Sequence, residues 1–175
     1  FADAGALLQQ MGLPYDSAEG RAVIGAIAAV QSGEAYKMSA EIASVKNPFD
    51  GFDHPSDPTL NNKKPMLDVI RLHRANVDHI LDEMKSKKSS NGHCHLTDLE
   101  DFVSEARNVW DDALSLGEQH GYRNAQVTVV APTGTISFLM DCDTTGIEPD
   151  LSLYKFKQLV GGGTVEIVNQ SVPLV

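Results

Sequence analysis

The spacing of apolar residues divides the chain into a helical first two thirds and a last third of short extended runs. Residues 4–11 predict a short helix that Gly12 ends, and Leu13-Pro14 forces an extended step, because a proline disfavours helical geometry in the residue before it. Asp16 and Glu19 have the spacing of a capping box, with Ser17 as the competing cap, for a second helix over about residues 18–44. Residues 22–30 of that helix carry no charged or hydrogen-bonding side chain. A helix that is apolar all round has to be covered on every side, so this stretch points to a larger parent or an oligomer.

Residues 47–65 are rich in Pro, Asp, Asn and Gly and read as a linker or loop insertion, centred on 47–64. A third helix is predicted over residues 65–84. Met66, Ile70, His73, Val77, Ile80 and Met84 recur at spacings of four and three as one apolar stripe. Pro65 fits the first helical position, and Lys85, Lys87 and Lys88 suit the negative C-terminal end. After a polar connection, a fourth helix is predicted from Thr97, with Glu100 completing a capping box, to near Gly121. Leu99, Phe102, Ala106, Trp110, Ala113 and Gly117 form its expected buried face. Residues 126–131 (QVTVVA) read as a short buried strand stopped by Pro132, and residues 164–168 as a second strand after Gly161-Gly162-Gly163. Many helices with a few isolated strands indicate a helix-rich α/β class whose remaining strands lie outside the segment.

The 175 residues fit one domain, or part of one, with 42% hydrophobic and 22% charged residues as in ordinary globular chains. No apolar run reaches membrane-spanning length, and no basic segment of a signal peptide is visible. The opening at Phe1 and the ending Pro173-Leu174-Val175 suggest a piece of something longer, or a trimmed complete protein. A net charge of −10 repels polyanions and argues against duplex nucleic acid, while leaving room for a small phosphorylated ligand. Two cysteines, Cys94 and Cys142, make no disulfide framework and favour a reducing, cytoplasmic setting, with a single disulfide as the alternative.

The stretch of most chemical interest is Ala131-Pro132-Thr133-Gly134-Thr135-Ile136-Ser137. If the run 136–140 is helical, Thr133 or Thr135 stands at its N-cap and the free N–H groups of its first turn carry the positive end of the helix dipole. Gly134 lets backbone approach a ligand, and three hydroxyls can donate to phosphate oxygens. Pro-Thr-Gly-Thr is equally an ordinary turn before a helix cap, which the residues alone favour. There is no GxxxxGK[ST] and no GxGxxG.

The run from Asn124 to Pro173, with PTGTIS, DCDTTGIEPD and the GGG-to-NQSVP stretch in order, resembles the vitamin B12-dependent (class II) ribonucleotide reductases. FADAGALLQQMGLPYDSAEGRA, SGEAYKMSAEIA and PMLDVIRLHRANVDHI extend the likeness over most of the chain. The resemblance implies part of a ten-stranded α/β barrel. It implies a substrate-phosphate loop at Thr133, Gly134, Thr135, Ile136 and Ser137, and a structural GIEP turn at Gly146-Ile147-Glu148-Pro149, with Glu148 a secondary candidate. It also implies adenosylcobalamin as cofactor, a ribonucleotide substrate and the remainder of the reductase chain as partner, while the apolar stretch 22–30 leaves a homo-oligomer as a further candidate partner. The implied chemistry removes the ribose 2′-hydroxyl through a cysteine thiyl radical held in an Asn-x-Cys-x-Glu loop. That motif is absent from this sequence, so no catalytic residue is assigned and the chain alone is expected to be inactive. Alternatives are a standalone nucleotide- or partner-binding helical module derived from the reductase, and a fragment of a metal-radical (class I) reductase, which the DCDTTGIEPD wording disfavours.

Other residues take bland readings. His93-Cys94-His95 lacks the second ligand pair of a structural zinc site and reads as a solvated loop. His73 reads as a satisfied core histidine, and Met38, Met66, Met84 and Met140 as core fillers. Cys142 between Asp141 and Asp143 should have a raised thiol pKa, which argues against a nucleophile.

Overall fold

A computed structural model describes residues 1–54, 56–86 and 96–170. The elements in order are α1 (Ala4–Gln10), α2 (Ala18–Lys46), a 3-10 turn (Pro58–Leu60), α3 (Lys63–Val77), α4 (Asp82–Ser86), α5 (Leu96–His120), α6 (Gly134–Leu139), β1 (Tyr154–Gln158) and β2 (Thr164–Val168). They fall into two compact units. One takes Phe1–Gly20 with the described residues from Val129 onward, and the other is Arg21–Thr128.

The Arg21–Thr128 unit is helix on helix. Leu67, Ile70 and Val77 of α3 and Val103, Ala106, Val109, Trp110 and Ala113 of α5 supply much of its core. The expected α5 stripe is shifted at one point: Phe102 is exposed and Val103 and Val109 are buried instead. Gly33 of α2 lies so near α5 that a Cβ there would stand 2.8 Å from a Val109 methyl, and the Trp110 indole N–H donates to the Ala29 carbonyl at 2.9 Å. Gly117 is tighter still, since an added Cβ would meet the Tyr122 ring at 2.1 Å. The Tyr122 hydroxyl donates to the Ala113 carbonyl at 2.8 Å, and burial pushes it well above the ordinary tyrosine range. Arg74 bridges Asp111 of α5 at 2.6 Å, and Arg71 bridges Glu118 at 2.6 Å. These pairs are solvent-exposed and set register more than stability.

Several expectations need correction. The third helix does not run unbroken to Met84. It stops at Val77, where the N–H groups of Asp78, His79 and Ile80 turn to carbonyls three residues back, and resumes as α4. Arg74 and Arg107 both hold Asp78 at this break. Pro65 is the third helical residue, not the first, where it is tolerated because that N–H has no intrahelical acceptor either. His73 is exposed and stacks its ring on Trp110 at 5.3 Å, so it is no core residue. Met38 and Met140 are exposed as well, at 53% and 60%, so neither fills the core. Of residues 22–30, Ala22, Val23 and Ala26 are buried and the others half-buried.

Residues 126–131 form no strand. Val129 and Val130 are 72% and 62% exposed, and no ladder partner lies beside them among the described residues. A β-branched run has no extended hydrogen-bonded state without a neighbouring strand. The strand at 164–168 does form, as β2, antiparallel to β1 with Tyr154 opposite Val168 and Gln158 opposite Thr164. β1 (YKFKQ) escaped the sequence reading because its lysines break the apolar signature. Gly161, Gly162 and Gly163 all have positive φ, the conformation the hairpin tip requires.

In this unit α1 is capped by residues far along the chain. The Thr144 hydroxyl accepts the Ala6 N–H at 3.1 Å, the Gly146 carbonyl accepts the Ala4 N–H at 3.3 Å, and the Asp3 carboxylate accepts the Thr144 N–H at 3.0 Å. The first two satisfy first-turn donors that a helix cannot satisfy itself, and the third ties Thr144 to the residue before α1. At the head of α2 the cap is Ser17, whose hydroxyl accepts the Gly20 N–H at 3.0 Å. Among the described residues no helix is long and apolar enough to cross a membrane.

Candidate functional site

The PTGTIS stretch folds as a tight turn into α6, with Thr133 as N-cap at φ 53, ψ 27. A β-branched residue in the left-handed region is strained and persists only where its surroundings hold it. Here the side chain is what holds it. The Thr133 hydroxyl accepts the Gly146 N–H at 2.6 Å, shares a hydrogen bond with the Ser137 hydroxyl at 2.9 Å, and reaches the Pro132 carbonyl at 2.8 Å. The Ser137 N–H closes the first helical turn on the Thr133 carbonyl at 2.8 Å. Gly146, itself at φ 50, sits so close to the loop that a Cβ would be 2.7 Å from the Ala131 carbonyl oxygen.

The five expected site residues thus divide. Ser137 is 1% exposed and faces inward onto Thr133, which is half-buried. Gly134, Thr135 and Ile136 are exposed and form the first turn of α6, where N–H groups lack intrahelical acceptors. A Cβ on Gly134 would meet nothing within 4 Å, so packing among the described residues gives no reason for glycine there. The loop is brought together with the GIEP turn through Gly146. Glu148 is exposed and accepts the Thr145 hydroxyl at 2.7 Å, as a turn residue does.

Behind the loop lies a groove of about 180 Å³ lined by Ser137, Phe138, Thr145, Glu148 and Lys155 among others. A second, open groove of about 490 Å³ runs between Phe138 and Cys142 on one side and β1 and β2 on the other. Lys157 of β1 sits 3.4 Å above the Phe138 ring, a cation–π contact that joins hairpin to α6. The Cys142 thiol is pushed up by burial and then by Asp3, Asp141 and Asp143, the direction expected from its acidic neighbours. Among the described residues no group of three or more His, Cys, Asp or Glu is placed to hold a metal. His93, Cys94 and His95 lie outside the described residues.

Sequence reasoning missed one cluster entirely. The Asp150 carboxylate, its side chain 3% exposed, accepts from Lys155 Nζ at 2.6 Å and from Asn169 Nδ2 at 2.6 Å. Asn169 also donates to Gln9 Oε1 of α1 at 3.1 Å, and Lys155 to the Asp143 carbonyl at 3.0 Å. Burial alone would raise the Asp150 carboxyl, but the hydrogen bonds from Lys155 and Asn169 hold it below the usual range. No spacing rule links positions 9, 150, 155 and 169, so only the fold could reveal them.

Residues 1–174 match the model of the ribonucleotide reductase barrel domain. The chain belongs to that family. It is 50% identical, over 99% of its length, to a vitamin B12-dependent ribonucleotide reductase of Bradyrhizobium diazoefficiens and likewise to one of Agrobacterium fabrum. A third relative of the same name, from Rhodopirellula baltica, is 47% identical over the same share. The chain spans only 13% of the first two relatives and 15% of the third. The barrel-domain match agrees with a helix-rich α/β class, and the two strands described here form a single hairpin.

Proposed function

We propose that this chain is an internal segment of the catalytic barrel of an adenosylcobalamin-dependent ribonucleotide reductase, an oxidoreductase that makes deoxyribonucleotides for DNA synthesis. The segment supplies the loop that holds the substrate phosphates. The observation that carries the reading is identity of 47–50% across 99% of the chain to reductases of that name, with the expected loop intact. In this reading residues 1–175 are one partial domain of a ten-stranded α/β barrel, and 47–64 is a loop insertion.

The loop's chemistry follows from its geometry. The N–H groups of Gly134, Thr135 and Ile136 and the exposed Thr135 hydroxyl face the phosphate, while Thr133 and Ser137 brace the turn, with Ser137 at the inner wall. Asp141, Asp143 and Glu148 are near in the chain, so binding relies on directed N–H and O–H donors rather than on net positive charge. The site residues are therefore Thr133, Gly134, Thr135, Ile136 and Ser137, and none is catalytic.

When bound, adenosylcobalamin supplies the radical that starts ribose reduction. The two grooves described, about 180 and 490 Å³, suit parts of drug-sized ligands and are too small for a corrin with its adenosyl group. No residue of this segment is assigned to the cofactor. The remainder of the reductase chain is the main partner, and the setting is cytoplasmic.

The test is kinetic. In the full-length protein, Thr135→Ala should weaken ribonucleotide binding or turnover by about ten- to a hundredfold, the worth of a charge-assisted hydrogen bond, and Ser137→Ala should weaken it by removing the brace on Thr133. Wild-type kinetics in both variants would sink the assignment.

A further inference from the structure

The buried cluster around Asp150 has no part in the phosphate reading so far. One carboxylate there gathers four segments: α1 through Asn169 and Gln9, the end of the GIEP turn, β1 through Lys155, and the residue after β2. Besides this cluster the hairpin is held by Lys157 over the Phe138 ring and by the Gln170 N–H, which donates to the Asp143 carboxylate at 2.8 Å. Every residue of β1 and β2 is exposed or half-buried, and a two-stranded hairpin alone is marginal in water. The 146–150 turn is thus pinned at both ends. At Asp150 it is held by Lys155 and Asn169. At Gly146 its N–H donates to the Thr133 hydroxyl at 2.6 Å and its carbonyl accepts from Ala4. The Gly146 bond is one of those that keep Thr133 in its left-handed conformation at the head of α6.

We infer that Asp150 is a positioning residue for the phosphate loop, acting through the 146–150 turn to hold Thr133 and the first turn of α6 in their receiving geometry. The inference rests on the phosphate-loop reading above. The ionised form matters because both bonds to Asp150 are charge-assisted. An asparagine there keeps the shape but turns one acceptor into a donor facing Lys155 or Asn169.

The experiment uses the full-length protein with Asp150→Asn, the neutral-pair variant Asp150→Asn/Lys155→Gln, and Thr135→Ala. The readouts are KM and kcat for the ribonucleotide, and inhibition by inorganic pyrophosphate as a probe of the phosphate site. Asp150→Asn should raise KM and the pyrophosphate inhibition constant about tenfold. It should leave kcat per folded enzyme within about twofold, since binding rather than chemistry is disturbed. If Asp150→Asn does not fold, the neutral-pair variant, which leaves no buried charge unpaired, should show the same rise. Unchanged KM and unchanged pyrophosphate inhibition, or a loss of activity that only tracks loss of folded protein, would overturn the inference. Thr135→Ala separates the two ideas. If it weakens pyrophosphate inhibition and Asp150→Asn does not, the positioning role alone falls. If Thr135→Ala has no effect, the phosphate reading falls and this inference with it.

Discussion

Two glycines have opposite reasons to be glycine. Gly117 sits on α5 with the Tyr122 ring where its Cβ would be. Alanine there gains about 1 kcal/mol of helix propensity but would set its Cβ 2.1 Å from a buried aromatic ring, far inside van der Waals contact. The net expected result is a loss of about 1–3 kcal/mol, read as a lower denaturant midpoint. Gly134 faces open space, so Gly134→Ala should leave thermal stability within about 0.5 kcal/mol of wild type, as for an unconstrained surface position. On the proposed phosphate reading, the same methyl should weaken nucleotide binding in the full-length protein, because it would narrow the approach to the first turn of α6. A variant that melts early but binds normally would reverse that reading. The Thr133 conformation belongs at this scale too. PTGTIS names the turn, but which hydroxyls face inward depends on Gly146, thirteen residues further along.

At the level of elements, helices were legible and their interruptions were not. The stripe from Met66 to Met84 has helical period throughout, yet the chain tightens at Asp78, where Arg74 and Arg107 converge on one carboxylate. Arg107 comes from α5 and is invisible to a window on α3. The hairpin shows the converse. Its first strand, β1, carries too little apolar burial to be self-evident, and Lys155 within it is tied to Asp150. Because the folded state holds the Asp150 carboxyl below its unfolded value, the associated stability is fully present above about pH 4, near the unfolded pKa. It is lost as the pH falls through the lower folded value. Wild type should therefore lose more stability than Asp150→Asn between about pH 5 and 2. Parallel acid-melting curves for the two proteins would count against a native-state role for the charge.

On the scale of the molecule, apolar surface is left uncovered. Val129, Val130, Leu151 and Val160 are exposed, the last completely, and residues 126–131 have strand character without a strand partner among the described residues. A β-branched run without a ladder partner, with its valines exposed, favours association. The isolated 175-residue chain should self-associate at micromolar concentration, and Val129→Thr with Val130→Thr should shift it toward monomer in sedimentation. A monodisperse wild-type monomer would show that this surface is not sticky.

The amino-acid order by itself determined the helices, the glycine-tipped strand at 164–168, the loop and the family. Each of these depends on local period, on turn chemistry or on a contiguous motif. The tertiary structure decided what depends on distant residues meeting. It chose Ser17 over Asp16 as a cap and left residues 126–131 without a ladder. It turned Ser137 inward and assembled Gln9, Asp150, Lys155 and Asn169 around one buried charge. A hydrogen bond acts over about 3 Å in space whatever the separation along the chain, and no reading by spacing contains that distance.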